Sequence, residues 1–355
     1  MATGDVRIGI IGSGGIAGAH AERYKKIPGV RVVAVADVVP GRAESFIQRF
    51  GFEGAQAYTD HRKMLEQDFD GVSVCTFNAA HYQPTMDALA AGKHVLLEKP
   101  MATTLAEGVD MVRQAKRHDR MLSVGFQSRY EARNMTAKSL AESGALGHIY
   151  FAEVGGGRRR GIPGGTFVRK ATAVGGAVLD IGCYSLDTAM WVLGDPRPLT
   201  VSAYTGNHFG SSPERARLAS WDRNMDPSKF DVEDFGMAMV RLDGDTVLVF
   251  KISWAMHAES LGPTLFLGTK AGLNLDEMRL YHDLADRTAY TEINAGNTGW
   301  SDAFFRKIEV FVDAVRKGGP APIPGAEMVH ATAIIEAIYT SAAEGREVRI
   351  EIPEI

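Results

Sequence analysis

Between residues 6 and 126 the chain alternates short β-rich runs with longer stretches whose apolar positions follow a helical period. The runs are Val6 to Ile11, Arg31 to Ala36, Gly71 to Thr76, His94 to Glu98 and Met121 to Phe126. Helical segments begin near Ile16, Pro40, Asp60, Ala79 and Thr104, some with a proline or threonine at the start, as helix entry favours. This alternation predicts parallel βαβ units, hence an α/β domain with a doubly wound parallel sheet. After residue 145 strand-like segments follow one another through glycine-rich connections: Ile149 to Gly155, Thr200 to His208, Asp234 to Leu242, Thr246 to Ala255 and Thr264 to Leu267. Strands in succession predict a mostly antiparallel sheet, so the second half reads as an α+β domain. Helices expected over Ser301 to Lys317 and Ala326 to Ala343 either pack on that sheet or return to the first domain. Gly210 to Lys229, rich in Ser, Pro, Arg and Asp, reads as a long loop and a candidate lid.

The 355 residues exceed the size at which single cores usually stop growing, and the change of rhythm places two domains at 1–128 and 129–355. Hydrophobic residues at 45% and charged residues at 23% are ordinary for a globular chain, and no apolar run approaches the roughly 20 residues of a membrane span. Met1 to Asp5 runs straight into a strand without the regions of a signal peptide, so a cytoplasmic protein is expected. The net charge of −4 argues against general nucleic-acid binding. Cys75 and Cys183 sit in apolar surroundings without metal-ligand or CxxC spacing, which makes them core thiols and leaves no zinc site.

Gly12-Ser13-Gly14-Gly15-Ile16-Ala17 follows the first strand and opens the first helix. In this G-x-G-x-x-A order Gly12 permits a tight turn, Gly14 lets backbone approach a pyrophosphate, and Ala17 lets the helix lie against the strand. The helix beginning near Ile16 then offers free N–H groups and its positive dipole end to phosphates. Asp37, closing the second strand, stands where an acid binds the ribose 2′-hydroxyl and repels a 2′-phosphate. Val38 rather than arginine follows it, so NAD is favoured over NADP in an N-terminal Rossmann domain.

Glu98-Lys99-Pro100 places a lysine where the buried-looking run His94 to Leu97 stops. A side chain at the carboxyl end of a parallel strand projects into the crevice where open α/β sheets bind ligands. Pro100 restrains the backbone so as to aim Lys99, and partial burial near a cationic nicotinamide would lower the lysine's proton affinity toward neutrality.

These stretches, with Thr76-Phe77-Asn78-Ala79-Ala80-His81, Ala91 through Pro100 and Gly175 through Tyr184, resemble the Gfo/Idh/MocA oxidoreductase family. The resemblance covers most of the chain and implies an NAD(P)-dependent dehydrogenase or reductase acting on a hydroxyl or carbonyl carbon of a sugar, inositol or related polyol. It also implies that Thr76, Phe77, Asn78, His81, Glu98 and Gln127 line the cofactor groove with Lys99, and that the second domain forms a homodimer or homotetramer. Asp180 and Tyr184 join Lys99 as the implied catalytic set, Lys99 and Tyr184 bonded to the substrate hydroxyl and Asp180 holding the lysine. Many relatives carry histidine where this chain has Tyr184. A tyrosine, with an ordinary pKa of about 10 against about 6.5, needs a neighbouring cation, for which Lys99 is the candidate. Two alternatives stay open: an NAD-dependent glycosidase that oxidises transiently, and a sugar or cofactor sensor without turnover.

Substrate contacts are expected from Arg129, after the fifth strand, and from Arg158. Strand alternation would put Arg158 and Arg160 on one side of the Arg158-Arg159-Arg160 run. Trp254 and His257 read either as a sugar-stacking wall or as a core tryptophan with an exposed histidine.

Overall fold

A computed structural model of the chain describes residues 5–222 and 225–355. It resolves into two compact units, and the split differs from a single cut at residue 128: the first holds 1–127 and 300–329 with Ile355, the second 128–299 and 330–354.

In the first unit β1 (Val6–Ile11), β2 (Val30–Ala36), β3 (Gln56–Tyr58), β4 (Gly71–Val74), β5 (His94–Leu97) and β6 (Leu122–Val124) form one sheet in the order β3-β2-β1-β4-β5-β6. Every neighbouring pair is parallel, which is the doubly wound arrangement, and the strand order reverses between β1 and β4. The crossovers carry α1 (Gly15–Tyr24), α2 (Arg42–Phe50), α3 (His61–Leu65), α4 (Tyr82–Ala90) and α5 (Leu105–His118). Thr104 caps α5 by accepting the Glu107 N–H, and Asp60 caps α3 through Arg62 N–H, as the sequence signals require. The three-residue edge strand β3 carries too little apolar pattern to be visible in the sequence.

The second unit contains α6 (Ala132–Glu142), β7 (Ile149–Gly157), the short α7 (Lys170–Ala173) and α8 (Ala177–Asp180), α9 (Gly182–Leu193), β8 (Pro198–Gly206), α10 (Pro213–Ala219), β9 (Phe235–Leu242) and β10 (Thr246–Ser253). It continues with β11 (Leu265–Gly268), β12 (Ala271–Asn274), β13 (Arg279–Leu284) and β14 (Arg287–Glu292). With the last strand, Val348–Arg349, these make a nine-stranded sheet in which only β7 and β10 run parallel. α8 and α9 cover one face. Gly182 permits the approach, since a Cβ there would meet the Phe250 ring of β10 at 2.6 Å. On the other face β9 alternates strictly, with Met237, Met239 and Arg241 outward and Gly236, Ala238, Val240 and Leu242 inward. The expected loop from Gly210 to Lys229 contains the helix α10, capped by Ser212; its residues 223 and 224 lie outside those described, as do residues 1–4 of the expected direct start.

After β14 the chain forms α11 (Trp300–Lys317) and α12 (Val329–Glu344). α11 belongs to the first unit because Phe304, Ile308, Phe311 and Val312 complete the apolar cluster of Ile8, Ile10, Ala21, Tyr24 and Val35. Among the described residues no helix is long and apolar enough to cross a membrane.

Candidate active site

Gly12, Asp37, Thr76, Glu98, Lys99 and Gln127 all follow the carboxyl ends of first-unit strands, along the edge where a parallel sheet accepts ligands. Gly12 has φ +87, and a Cβ on it would lie 2.7 Å from the Cys75 carbonyl oxygen, so both conformation and space demand glycine. Positions 14 and 15 differ: a Cβ at either would meet nothing within 4 Å. α1 begins behind them with Gly14 as its cap and no side chain bonded there, while Ala17 is fully buried. The turn therefore presents backbone N–H groups to open space and fits a pyrophosphate. Ser13 and Ile16 complete it, and a hollow of about 380 Å³ between α1 and α2 is bounded by Ser13, Gly14, Gly15, Arg42 and Arg49.

Asp37 Oδ2 accepts from Ser13 N at 3.0 Å and Ser13 Oγ at 2.6 Å, and Oδ1 accepts from Val39 N at 3.0 Å. Partial burial works to raise its pKa, but these donors and Arg42 prevail and hold it below the usual carboxylate value. A fixed negative charge thus stands at the end of β2, beside the glycine turn.

His81 is buried, with Nδ1 2.7 Å from Pro100 O and Nε2 3.2 Å from Thr76 O. Burial lowers its pKa, so the neutral ring gives its single proton to the shorter contact and ties the β4 exit to the β5 exit. Thr76 Oγ1 donates to Ala80 O, which bends the chain over the 3₁₀ turn Asn78–Ala80 and leaves Phe77 exposed. Lys99 is half-buried, and its peptide bond to Pro100 is cis.

Glu98 is the centre of a buried network that the sequence does not announce. Lys307 of α11 forms an ion pair with its Oε1, and His20 Nε2 lies 2.8 Å from the same oxygen. His20 Nδ1 meets Ser73 Oγ at 3.0 Å, and Tyr24 OH meets that hydroxyl at 2.6 Å. Because the carboxylate only accepts, the order of donation is Tyr24 to Ser73 to His20 to Glu98. Burial works to raise the Glu98 pKa, yet Lys307 and His20 overcome it and hold the group well below the carboxylate range. His20, lowered by burial, is neutral.

In the second unit Asp180 closes α8, Ile181 interrupts the helix, and Tyr184 lies in the first turn of α9. Asp180 is buried and its Oδ2 accepts from Trp254 Nε1 at 3.2 Å. Trp254 itself is fully buried, which corrects the sugar-stacking alternative: its ring is core and its N–H orients Asp180. Glu233 holds α8 from below, accepting from Gly176 N at 2.8 Å, Val178 N at 3.0 Å and Tyr339 OH at 3.0 Å.

The arginine run does not lie on a strand, because β7 ends at Gly157, and its three side chains separate. Arg158 sits 4.6 Å from the Trp221 ring and feels the Asp180 charge, Arg159 pairs with exposed Glu259, and Arg160 donates to Ser220 O. Arg129 is buried, with Nε and Nη2 on the Asp187 carboxylate at 3.1 and 2.7 Å and its guanidinium 5.3 Å from the Trp191 ring. That ion pair explains its burial without a ligand. His257 is exposed against the edge of Phe209. Cys75 and Cys183 are buried, with Cys183 Sγ donating to Asp180 O at 3.3 Å, and no group of three or more His, Cys, Asp or Glu side chains among the described residues is placed to hold a metal ion.

A 3-2-1-4-5-6 parallel sheet with a glycine turn, an uncapped helix and an acid at the end of β2 defines a dinucleotide-binding Rossmann domain, here joined to a nine-stranded α+β unit. Residues 6–126 match the oxidoreductase family with an NAD-binding Rossmann fold, and residues 134–274 match the GFO/IDH/MocA C-terminal domain. The chain belongs to the Gfo/Idh/MocA oxidoreductase family, and NAD is its cofactor. It is similar to D-glucoside 3-dehydrogenase of Escherichia coli (strain K12), 30% identical over 99% of both chains. It is also similar to myo-inositol 2-dehydrogenase of Thermotoga maritima, 23% identical over 98% of this chain and 99% of that one. Among solved structures, aldose-aldose oxidoreductase of Caulobacter crescentus complexed with glycerol superposes with a TM-score of 0.77 at 25% identity, covering 98% and 100% of the two chains.

Proposed function

We propose that the protein oxidises a secondary hydroxyl of a sugar or cyclic polyol, with Lys99, Asp180 and Tyr184 handling the substrate hydroxyl and its proton. The observation that carries this reading is the position of Lys99, half-buried at the end of β5 in the row of strand ends that holds Gly12 and Asp37. The full-length likeness to a glucoside dehydrogenase and an inositol dehydrogenase supports the substrate class. NAD, when bound, supplies the acceptor for hydride. Lys99 donates a hydrogen bond to the hydroxyl under oxidation and stabilises the developing alkoxide, Tyr184, as a phenolate beside the Lys99 ammonium, takes up the proton, and Asp180 fixes the polar partners around it. Thr76, Asn78, His81, Glu98 and Gln127 shape the nicotinamide end of the groove. Arg158 and His257 serve the substrate, and Arg129 supports the second unit.

The protein acts in the cytoplasm as a homo-oligomer in this reading. Tyr204, Met237 and Met239 leave exposed apolar area on neighbouring strands of the face that α8 and α9 do not cover, which suits burial against a second copy. The test is a panel of glucosides, aldoses and inositols with NAD or NADP, read by NADH absorbance. Reduction of NAD by at least one member is expected; sugar release without NADH, or tight NADH binding without turnover on any member, overturns the assignment.

A further inference from the structure

The assigned roles leave the most enclosed charge of the first unit unexplained. The Lys307 side chain is 1% exposed. Its ammonium is ion-paired with Glu98 and donates to Gly125 O at 3.3 Å and Gln127 Oε1 at 3.2 Å, with the Phe304 ring 4.1 Å away. Three protons meet three oxygens. Gly125 makes room for this, since a Cβ there would stand 3.1 Å from the ammonium.

A buried ion pair is a weak source of stability, because apolar side chains of the same volume do as well or better. What an apolar residue cannot do is hold two specific oxygen-bearing side chains in one orientation. The two held here, Glu98 after β5 and Gln127 after β6, follow neighbouring strands at the same edge of the sheet. Glu98 Oε2 also accepts the Lys99 backbone N–H at 3.3 Å, so the carboxylate that Lys307 anchors is bonded to the residue assigned to the substrate.

We propose that Lys307 is a positioning residue for the nicotinamide end of the cofactor groove: its ammonium fixes the Glu98 and Gln127 side chains and, through Glu98, the backbone that carries Lys99. The inference rests on the assignment of Lys99 and the groove residues above. If Lys307 only neutralises Glu98, removing both charges should undo the harm of removing one. If it positions, stability and cofactor binding should part company.

The experiment compares wild type, Glu98→Gln and Glu98→Gln/Lys307→Met by thermal melting and by NADH fluorescence titration. Glu98→Gln strands a buried ammonium and lowers the melting midpoint; adding Lys307→Met is expected to raise it again. Over the same step NADH affinity should fall further, by roughly tenfold or more, as a misplaced groove requires. NADH affinity that recovers with the melting midpoint, or does not change, overturns the proposal. Should the double variant fail to fold, Lys307→Gln and Lys307→Met in the wild-type background decide the matter. The amide keeps two N–H donors in place of three, so its NADH affinity should lie between wild type and Lys307→Met, and equal affinities in all three refute positioning. Failure of the wild type on the sugar panel would strike the substrate assignment alone, since the titration needs no turnover.

Discussion

Replacing Trp254 with Phe removes one N–H and leaves most of the ring. That N–H is 3.2 Å from Asp180 Oδ2, and both side chains are buried. A hydrogen bond to a buried charged group contributes about 1.5–3 kcal/mol. The smaller ring leaves a void whose cost is on the order of 1 kcal/mol. The sum, about 3 kcal/mol, should lower the melting midpoint by on the order of 10 °C for a unit of this size. The functional consequence is separate: an Asp180 carboxylate free to rotate should lower kcat by roughly tenfold or more, each factor of ten being about 1.4 kcal/mol of barrier. The KM for NAD should not change, because every residue assigned to NAD lies in the first unit. Steady-state kinetics with the best substrate of the panel, run beside a melting curve, gives both numbers. A variant that melts lower but keeps full kcat would show that the indole merely fills space, and the orienting role would be wrong.

Three further outcomes follow from the first unit. Asp37→Ser removes a unit charge worth about 1 kcal/mol or more at 4 Å from a 2′-phosphate, so the preference for NAD over NADP should narrow by roughly tenfold in paired titrations. Gly12→Ala forces φ +87 on a residue with a Cβ 2.7 Å from the Cys75 carbonyl oxygen; a loss of about 2 kcal/mol or more in stability and weakened NADH binding should both appear. His20 and His81 are held neutral by burial, with pKa values below the ordinary 6.5. The unfolded chain therefore binds more protons below that value, and stability should be full above about pH 6.5 and fall as pH drops. Glu98 acts in the same sense lower down: its depressed pKa gives stability that is present above the unfolded carboxylate value and lost as pH falls through the folded one. His330, whose pKa the Asp195 contact raises, acts in the opposite sense, so a melting midpoint that rises between pH 7 and pH 5 in a His330→Gln background would contradict these assignments.

The parallel half is legible because its signals are local. Gly12 to Ala17 sit within one turn, Asp37 closes the next strand, and Thr104 caps the helix that starts beside it. What stayed hidden depends on partners distant in sequence. Lys307 on an amphipathic helix reads as a surface charge until Glu98, 209 residues away, is seen to enclose it. The only available hint was that His20 shares the apolar spacing of Ala17, Ala21 and Tyr24. The same holds for Arg129, whose pairing with Asp187, 58 residues on, no local pattern announces. The arginine run looks periodic, but strand alternation stops at Gly157, where β7 ends. The hairpins of β12 to β14 carry little local signal because their outer residues are largely exposed and alternate weakly.

In the proposed reaction Lys99 acts on the substrate and not on the cofactor. The most direct test is NADH formation by wild type and Lys99→Ala on the active sugar or inositol, with NADH titrated into both. Turnover should fall by about 10²–10⁴-fold, the range for loss of a positioned acid–base group, while NADH affinity stays within about twofold. Turnover near the wild-type value in the alanine variant would remove Lys99 from the chemistry.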